Sequence, residues 1–188
     1  DTDRSRGLGD VYKRQVKHYA LYGAAEAGRD YNTVDMSRVT AMNYYMRPYQ
    51  AAVEAGVGSI MTSFNEFESI PATGNTWLLN DVLRKQWGFN GFVVSDFTAI
   101  AEMVNHGIGN SQEVGVKALK AGVDMDMIAD CYHAVLKKSL EEGKITEAEI
   151  DSACRRILIS KYQLGLFHDP YKYCNPKRAA KEFLSVNN

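Results

Sequence analysis

A carboxylate that closes an apolar run is the first candidate for chemistry in this chain, and Asp96 closes the run Gly91-Phe92-Val93-Val94-Ser95-Asp96. The run reads as a buried parallel strand. The C-terminal tip of such a strand is where barrel enzymes place nucleophiles, acids and bases. On spacing alone Asp96 also suits the N-cap of a helix over 98–105, a position that aspartate favours. Lys17-His18 closes another short apolar stretch. Lysine brings three donors and histidine a directional one, which fits a polyhydroxylated ligand. A lysine at a strand tip could also form a Schiff base, and the bland reading is a solvated lysine beside a core histidine. Arg29 and Asp30 are adjacent opposite charges, suited to ordering a loop or touching a ligand. Met61 and Phe64 flank the tip of a further strand, where Met61 lines a pocket or packs in the core, and Asn65 donates to a ligand or caps a turn. Asp124 and Asp126 close a fourth apolar stretch, as site carboxylates or as structural groups.

The elements that must position these residues alternate along the chain. Strands are expected at 16–20, 58–64, 92–96 and 122–127, and helices at 35–56, 75–88, 98–105, 111–121, 131–142 and 148–164. Met42, Tyr45, Tyr49 and Val53 recur at helical spacing in the first helix, with Gly56 as its stop. Leu78, Leu79, Val82, Leu83 and Trp87 share one face of the second. Ser111 is the expected cap of the helix it opens, and Thr146-Glu147-Ala148-Glu149 is a capping box for the last. The strand starts lie roughly 30 to 43 residues apart, and one βα unit needs about 30. Four such units in series make half of an eight-stranded barrel, an α/β fold.

Composition excludes several classes. The 188 residues are 45% hydrophobic and 24% charged, which supports one packed domain rather than a disordered chain. Lys plus Arg number 22 against 23 Asp plus Glu, so no field favours nucleic acid or an anionic membrane. No apolar run approaches the roughly 20 residues of a membrane span. Cys131, Cys154 and Cys174 lack metal-ligand spacing and read as ordinary thiols.

Ordered blocks extend this reading. They are Lys17-His18-Tyr19 with Tyr22-Gly23, Glu26 to Asn32, Ile60 to Asn65 with Ile70-Pro71-Ala72, and Leu79 to Arg84. Trp87 to Asp96, Ala121 to Met127 and Lys161 to Tyr171 follow. Together they resemble glycoside hydrolase family 3, the β-glucosidases and their relatives, over residues 16–171. The resemblance implies the second half of a (β/α)8 TIM-type barrel, truncated at both ends. It also implies retaining hydrolysis of terminal β-linked sugars, with β-D-glucosides the expected substrates, as oligosaccharides or aryl glycosides. By that resemblance Asp96 is the nucleophile that forms a glycosyl-enzyme. A nucleophilic carboxylate must be ionised, so it needs donors or cations beside it. Lys17 and His18 would bind sugar hydroxyls, while Met61 and Arg29 are candidate substrate contacts. Phe97 would offer a ring face where many relatives carry tryptophan.

The resemblance begins at Val16. Residues 1–15 are set aside as non-native, because Arg6 to Gln15 looks like a translated sequencing adapter, and the native gene is expected to continue upstream. Residues 16–167 are expected to form the partial barrel and 168–188 a linker toward a missing C-terminal sandwich domain, the partner that supplies the acid/base. Glu66 and Glu68 carry no motif for that role. The isolated chain is therefore expected to be inactive, and a half-barrel with open edges to be marginal or to dimerise. No cofactor and no metal is required by this chemistry. Relatives of this kind are often periplasmic or secreted. Between Lys17 and Gly58 no histidine besides His18 occurs, which leans away from N-acetylglucosaminidases with a histidine on that loop. Two other readings remain open: a Schiff-base lyase barrel using Lys17, and a non-catalytic fragment.

Overall fold

The computed structural model describes residues 14–171 together with 174, 175 and 177. The bulk of the residues expected to be non-native, and most of the expected linker, lie outside the described residues. Three parallel strands, β1 (Gln15–Tyr19), β3 (Ser59–Thr62) and β6 (Phe92–Val94), form one sheet in the order β1-β3-β6. β1 starts one residue earlier than expected, and the Arg14 carbonyl accepts the N–H groups of Gly58 and Ser59 at 3.2 Å. Ser59, Ile60 and Met61 stand in register with Phe92, Val93 and Val94. Ile60 and Val93 are fully buried in the main core, while Met61 and Val94 lie outside that cluster, on the other face.

The expected fourth strand, 122–127, is reduced to one parallel bridge between Val94 and Met125. Side-chain oxygens take the places of backbone carbonyls there. Asp124 Oδ2 accepts the Val93 N–H at 2.8 Å, and Ser95 Oγ accepts the Met127 N–H at 2.8 Å. Three backbone bonds, Asp124 N to Val93 O at 2.8 Å, Met125 N to Val93 O at 3.1 Å and Ser95 N to Met125 O at 2.9 Å, still lay the segment alongside β6.

The helices cover one face of this sheet. The first expected helix is three joined pieces, α1 (Arg38–Thr40), a π-helical turn (Ala41–Tyr45) and α2 (Arg47–Glu54). Next comes α3 (Trp77–Gln86), wound with π-type hydrogen bonds, which buries Leu78, Leu79, Val82 and Leu83 as its periodicity requires. The helix expected over 98–105 is only α4 (Ala99–Glu102). α5 (Ser111–Ala121) keeps its expected span, but its cap is Asn110 rather than Ser111. The Asn110 side chain accepts from Gln112 and Glu113, and the Glu113 carboxylate reaches back to the Asn110 N–H. α6 (Cys131–Glu141) and α7 (Glu147–Gln163) follow, the latter with the expected Thr146/Glu149 capping box.

A second sheet had no signal long enough to read. β2 (Thr33–Val34) pairs with β4 (Glu66–Phe67), which pairs with β5 (Ile70–Pro71) in a hairpin whose two turn residues, Glu68 and Ser69, both have positive φ. That geometry is the primed turn suited to two-residue hairpins, although neither residue is glycine or asparagine. Gly91 is required where it stands, since a Cβ there would lie 2.3 Å from the Gly58 carbonyl oxygen. This close approach lets β6 begin beside β3.

Candidate active site

The carboxylate at the centre of the sequence argument lies just beyond the last residue of β6. Asp96 Oδ1 accepts the N–H of Phe97 at 2.7 Å, and Oδ2 lies 3.3 Å from Nε2 of His18. His18 is on β1 and Asp96 follows β6, with β3 between them. Neighbouring strands are about 4.8 Å apart, so the two side chains reach toward each other across roughly 10 Å of sheet. The histidine carbonyl is held by the Tyr49 hydroxyl at 2.5 Å. The helix-cap alternative is not realised. The N-cap of α4 is Thr98, at φ 58°, and no side chain caps that helix. The turn carrying Asp96 is instead clamped onto the 122–127 segment through Ser95 and through the Thr98 N–H, which donates to Met127 O at 3.1 Å.

The other expected site residues are placed as follows. Lys17 is exposed beside His18 and has no ion pair among the described residues. Met61 is buried, 6% exposed, on the sheet face away from the main core. Phe97 is 56% exposed directly after Asp96, so its ring is free to face a ligand. Arg29 is exposed, and its guanidinium makes no ion pair among the described residues. The structure therefore brings His18 to Asp96, leaves Lys17 and Phe97 beside them in the chain, and does not tie Arg29 to the pair.

Asp124 is structural. Its side chain is fully buried, Oδ2 accepts from Val93 N–H (2.8 Å) and Arg84 Nη2 (2.7 Å), and Oδ1 accepts from Arg156 Nε (2.8 Å) with Arg156 Nη2 2.7 Å away in the same ion pair. Asp126 caps α6, accepting the N–H groups of Cys131 at 2.7 Å and Tyr132 at 3.2 Å. Glu66 is engaged by His106 Nδ1 at 2.6 Å and by the Thr33 hydroxyl at 3.0 Å, which ties the second sheet to the loop after α4. Glu68 holds Arg38 through two hydrogen bonds, 2.8 and 2.6 Å, and that guanidinium lies over the Trp77 ring. Among the described residues no cluster of three or more His, Cys, Asp or Glu suits a metal ion. No helix there is long and apolar enough to cross a membrane. A cavity of about 670 Å³ lined by Gly58, Arg84, Trp87 and Gly91 lies at the starts of β3 and β6, the end of the sheet opposite Asp96.

The sequence signals assigned no role to Tyr22, whose ring packs against His18. The Tyr22 ring lies 5.2 Å from the His18 ring and 6.2 Å from Phe64, and Tyr31 lies 4.5 Å from Phe64. The pKa of the Tyr22 hydroxyl is pushed up to about 12, first by burial and then by the Asp30 charge. A tyrosine four residues after a candidate histidine was the available signal, but the turn that folds it back could not be read.

Comparison with known proteins agrees with this geometry. The model of the family described as Glycosyl hydrolase family 3 N terminal domain matches residues 9–159. The periplasmic beta-glucosidase of Salmonella typhimurium is 49% identical over 165 residues, covering 87% of this chain and 22% of that protein. A beta-xylosidase of Formosa agariphila is 40% identical over 162 residues, covering 81% of this chain and 22% of that protein. The crystal structure of a beta-glucosidase from Listeria innocua superimposes with a TM-score of 0.89 at 45% identity, covering 92% of this chain and 24% of that one. The chain thus spans less than a quarter of the length of these relatives, and its fold is the corresponding part of their N-terminal (β/α)8 barrel domain.

Proposed function

The chain belongs to glycosyl hydrolase family 3, and on that premise we propose that it carries the nucleophile half of a retaining glycoside hydrolase acting on terminal β-linked sugars. Matched proteins are named beta-glucosidase and beta-xylosidase, which supports a β-glucoside or β-xyloside as substrate, with glucosides favoured by the more similar of the two relatives described above. The observation that carries the reading is the Asp96–His18 contact at the C-terminal ends of parallel strands, where barrel chemistry is placed.

In the first step an Asp96 oxygen attacks the anomeric carbon. The bond from that carbon to the leaving oxygen breaks, and the leaving oxygen takes a proton from a general acid. In the second step water attacks the same carbon, gives its proton to the same group acting as base, and releases the carboxylate. The Phe97 N–H on Oδ1 and His18 near Oδ2 fix the orientation of the attacking group. Lys17 and His18 offer donors to sugar hydroxyls, Phe97 a ring face, and Met61 and Arg29 further contacts. The general acid is assigned to the part of the protein outside this chain, because Glu66 and Glu68 already hold His106 and Arg38. The chain alone is then inactive. Exposed Lys17 lacks the apolar enclosure that activates a Schiff-base lysine, which weighs against a lyase. The name of the Salmonella relative supports a periplasmic location.

The test is an Asp96→Gly variant of the chain extended to the length of its relatives, assayed on an aryl β-glucoside with and without azide. Turnover should fall by about 10⁴-fold or more. Azide should restore aryl release and yield a glycosyl azide of inverted anomeric configuration. Turnover by Asp96→Gly within tenfold of the parent contradicts the assignment.

A further inference from the structure

We propose that Glu66 is a positioning residue for the Asp96–His18 pair, an outer clasp that ties the chain after β1 to the chain after β6; the proposal rests on Asp96 being the nucleophile. His18 and Asp96 belong to those same two strands, with β3 between them, and they meet at 3.3 Å. Glu66 follows β3 by four residues, at the end of the sheet where Asp96 lies. Its carboxylate is engaged through both oxygens. Oε1 lies 2.6 Å from His106 Nδ1, and Oε2 accepts the Thr33 hydroxyl at 3.0 Å. A carboxylate only accepts, so Nδ1 is the donor there. Thr33 lies in the chain after β1 and His106 in the chain after β6, so each arm of the clasp holds a segment that leaves one member of the pair.

Both arms lead back to the pair. From Asp96 to His106 the chain is braced by backbone bonds from Ala99 N–H to Asp96 O (3.1 Å), Glu102 N–H to Thr98 O (3.0 Å) and Asn105 N–H to Glu102 O (2.9 Å). α4 within this segment is one short turn with no side-chain cap, so His106 supplies the polar anchor at its far end. On the other arm, Thr33 stands in parallel register with Glu66, whose N–H donates to Asn32 O at 3.2 Å. Phe64, two residues before Glu66, meets the Tyr22 ring that packs on His18. The His106 and Glu66 side chains are 13% and 19% exposed, so the bond between them is largely shielded from water, where a charge-assisted bond is strong. Among the described residues no hydrogen bond or ion pair joins Glu66 or His106 to Asp96 or His18, so the clasp acts through the two segments it holds.

The test uses the full-length enzyme, with Glu66→Ala, His106→Leu, His106→Asn and the double variant Glu66→Ala/His106→Leu, each assayed well below its thermal midpoint. His106→Leu should lower kcat/KM on an aryl β-glucoside about tenfold, the effect of one lost charge-assisted bond. Glu66→Ala also releases Thr33 and should lower it about 10²-fold, the scale of an ångström-sized misplacement. The double variant should be no worse than Glu66→Ala, because both changes remove the same bond. His106→Asn should recover most of the loss, since its amide places a donor where Nδ1 stood. The rate at which a 2-deoxy-2-fluoro-β-glucoside labels Asp96 should fall by the same factors as kcat/KM. Three results overturn the proposal: a lowered thermal midpoint in Glu66→Ala with kcat/KM and labelling rate at the parent's values, additive losses in the double variant, or a His106→Asn variant as poor as His106→Leu. Labelling of Asp96 in the parent would show that the underlying reading survives any of these. A parent that turns over glucosides but carries its label elsewhere fails that reading, and this proposal with it.

Discussion

Asp124→Ala is the perturbation whose cost the structure defines most closely. The carboxylate is fully buried and accepts three hydrogen bonds of 2.7 to 2.8 Å, from Val93 N–H, Arg84 Nη2 and Arg156 Nε, with Arg156 Nη2 a further ion-pair contact at 2.7 Å. Removing it strands a buried strand N–H and leaves two guanidinium groups facing each other. Burial and Arg156 both lower the pKa of Arg84, and Asp124 is the partner that raises it. Breaking one side of a buried pair costs about 3–5 kcal/mol. For a chain of this size that corresponds to a thermal midpoint lowered by about 6–20 °C. The assay is thermal unfolding by circular dichroism on the chain and on Arg84→Ala and Arg156→Ala. Arg156 is the more exposed arginine, 26% against 15%, so its loss should cost less than that of Arg84. A midpoint within about 2 °C of the parent for Asp124→Ala would refute the reasoning, since it would mean a cost below roughly 1 kcal/mol.

Three further outcomes are expected. Gly91→Ala should cost about 1–3 kcal/mol in chemical denaturation, because the new methyl group lies 2.3 Å from the Gly58 carbonyl oxygen and the strand start must move. Asn110→Ala and Thr146→Ala should each cost about 1 kcal/mol and add independently in the double variant, as each removes one helix cap. Stability should fall as pH rises above about 9, because burial, with Asp126 and Asp130 after it, raises the Cys131 thiol from its ordinary 9.0 to about 11. The folded state holds that proton longer than the unfolded one, so the contribution is complete below 9 and lost on the way through 11. A Cys131→Ala variant should show a shallower alkaline decline across that window. Burial likewise raises Tyr19 and Tyr132, which steepens the decline in the parent.

The parts legible in the sequence were those with long-period signals. The apolar run ending at Asp96, the face of α3 and the capping box of α7 were each carried by several residues, and each is present. The parts missed were short or depended on distant partners. β2, β4 and β5 are two residues each, below any periodicity, and are defined by pairing alone. The segment 122–127 has the apolar content of a strand, but Asp124 and Ser95 use side-chain oxygens where a ladder would use carbonyls. Ser111 looked like a cap because serine suits that role. Asn110 one residue earlier takes it because Glu113 then falls at the reciprocal position. At the site, Asp96 and His18 could be named separately, but their 3.3 Å approach across β3 and the Tyr22 wall behind His18 come only from the way the sheet and its loops fold.

The central claim is that Asp96 forms the bond to the sugar. Its most direct test is mass spectrometry after incubation with a 2-deoxy-2-fluoro-β-glucoside bearing an activated leaving group, on the chain extended to the length of its relatives. The account predicts one glycosyl unit on the peptide containing Asp96, absent from Asp96→Asn and absent from the 188-residue chain alone. An extended enzyme that turns over glucosides but carries its label on another residue would contradict it.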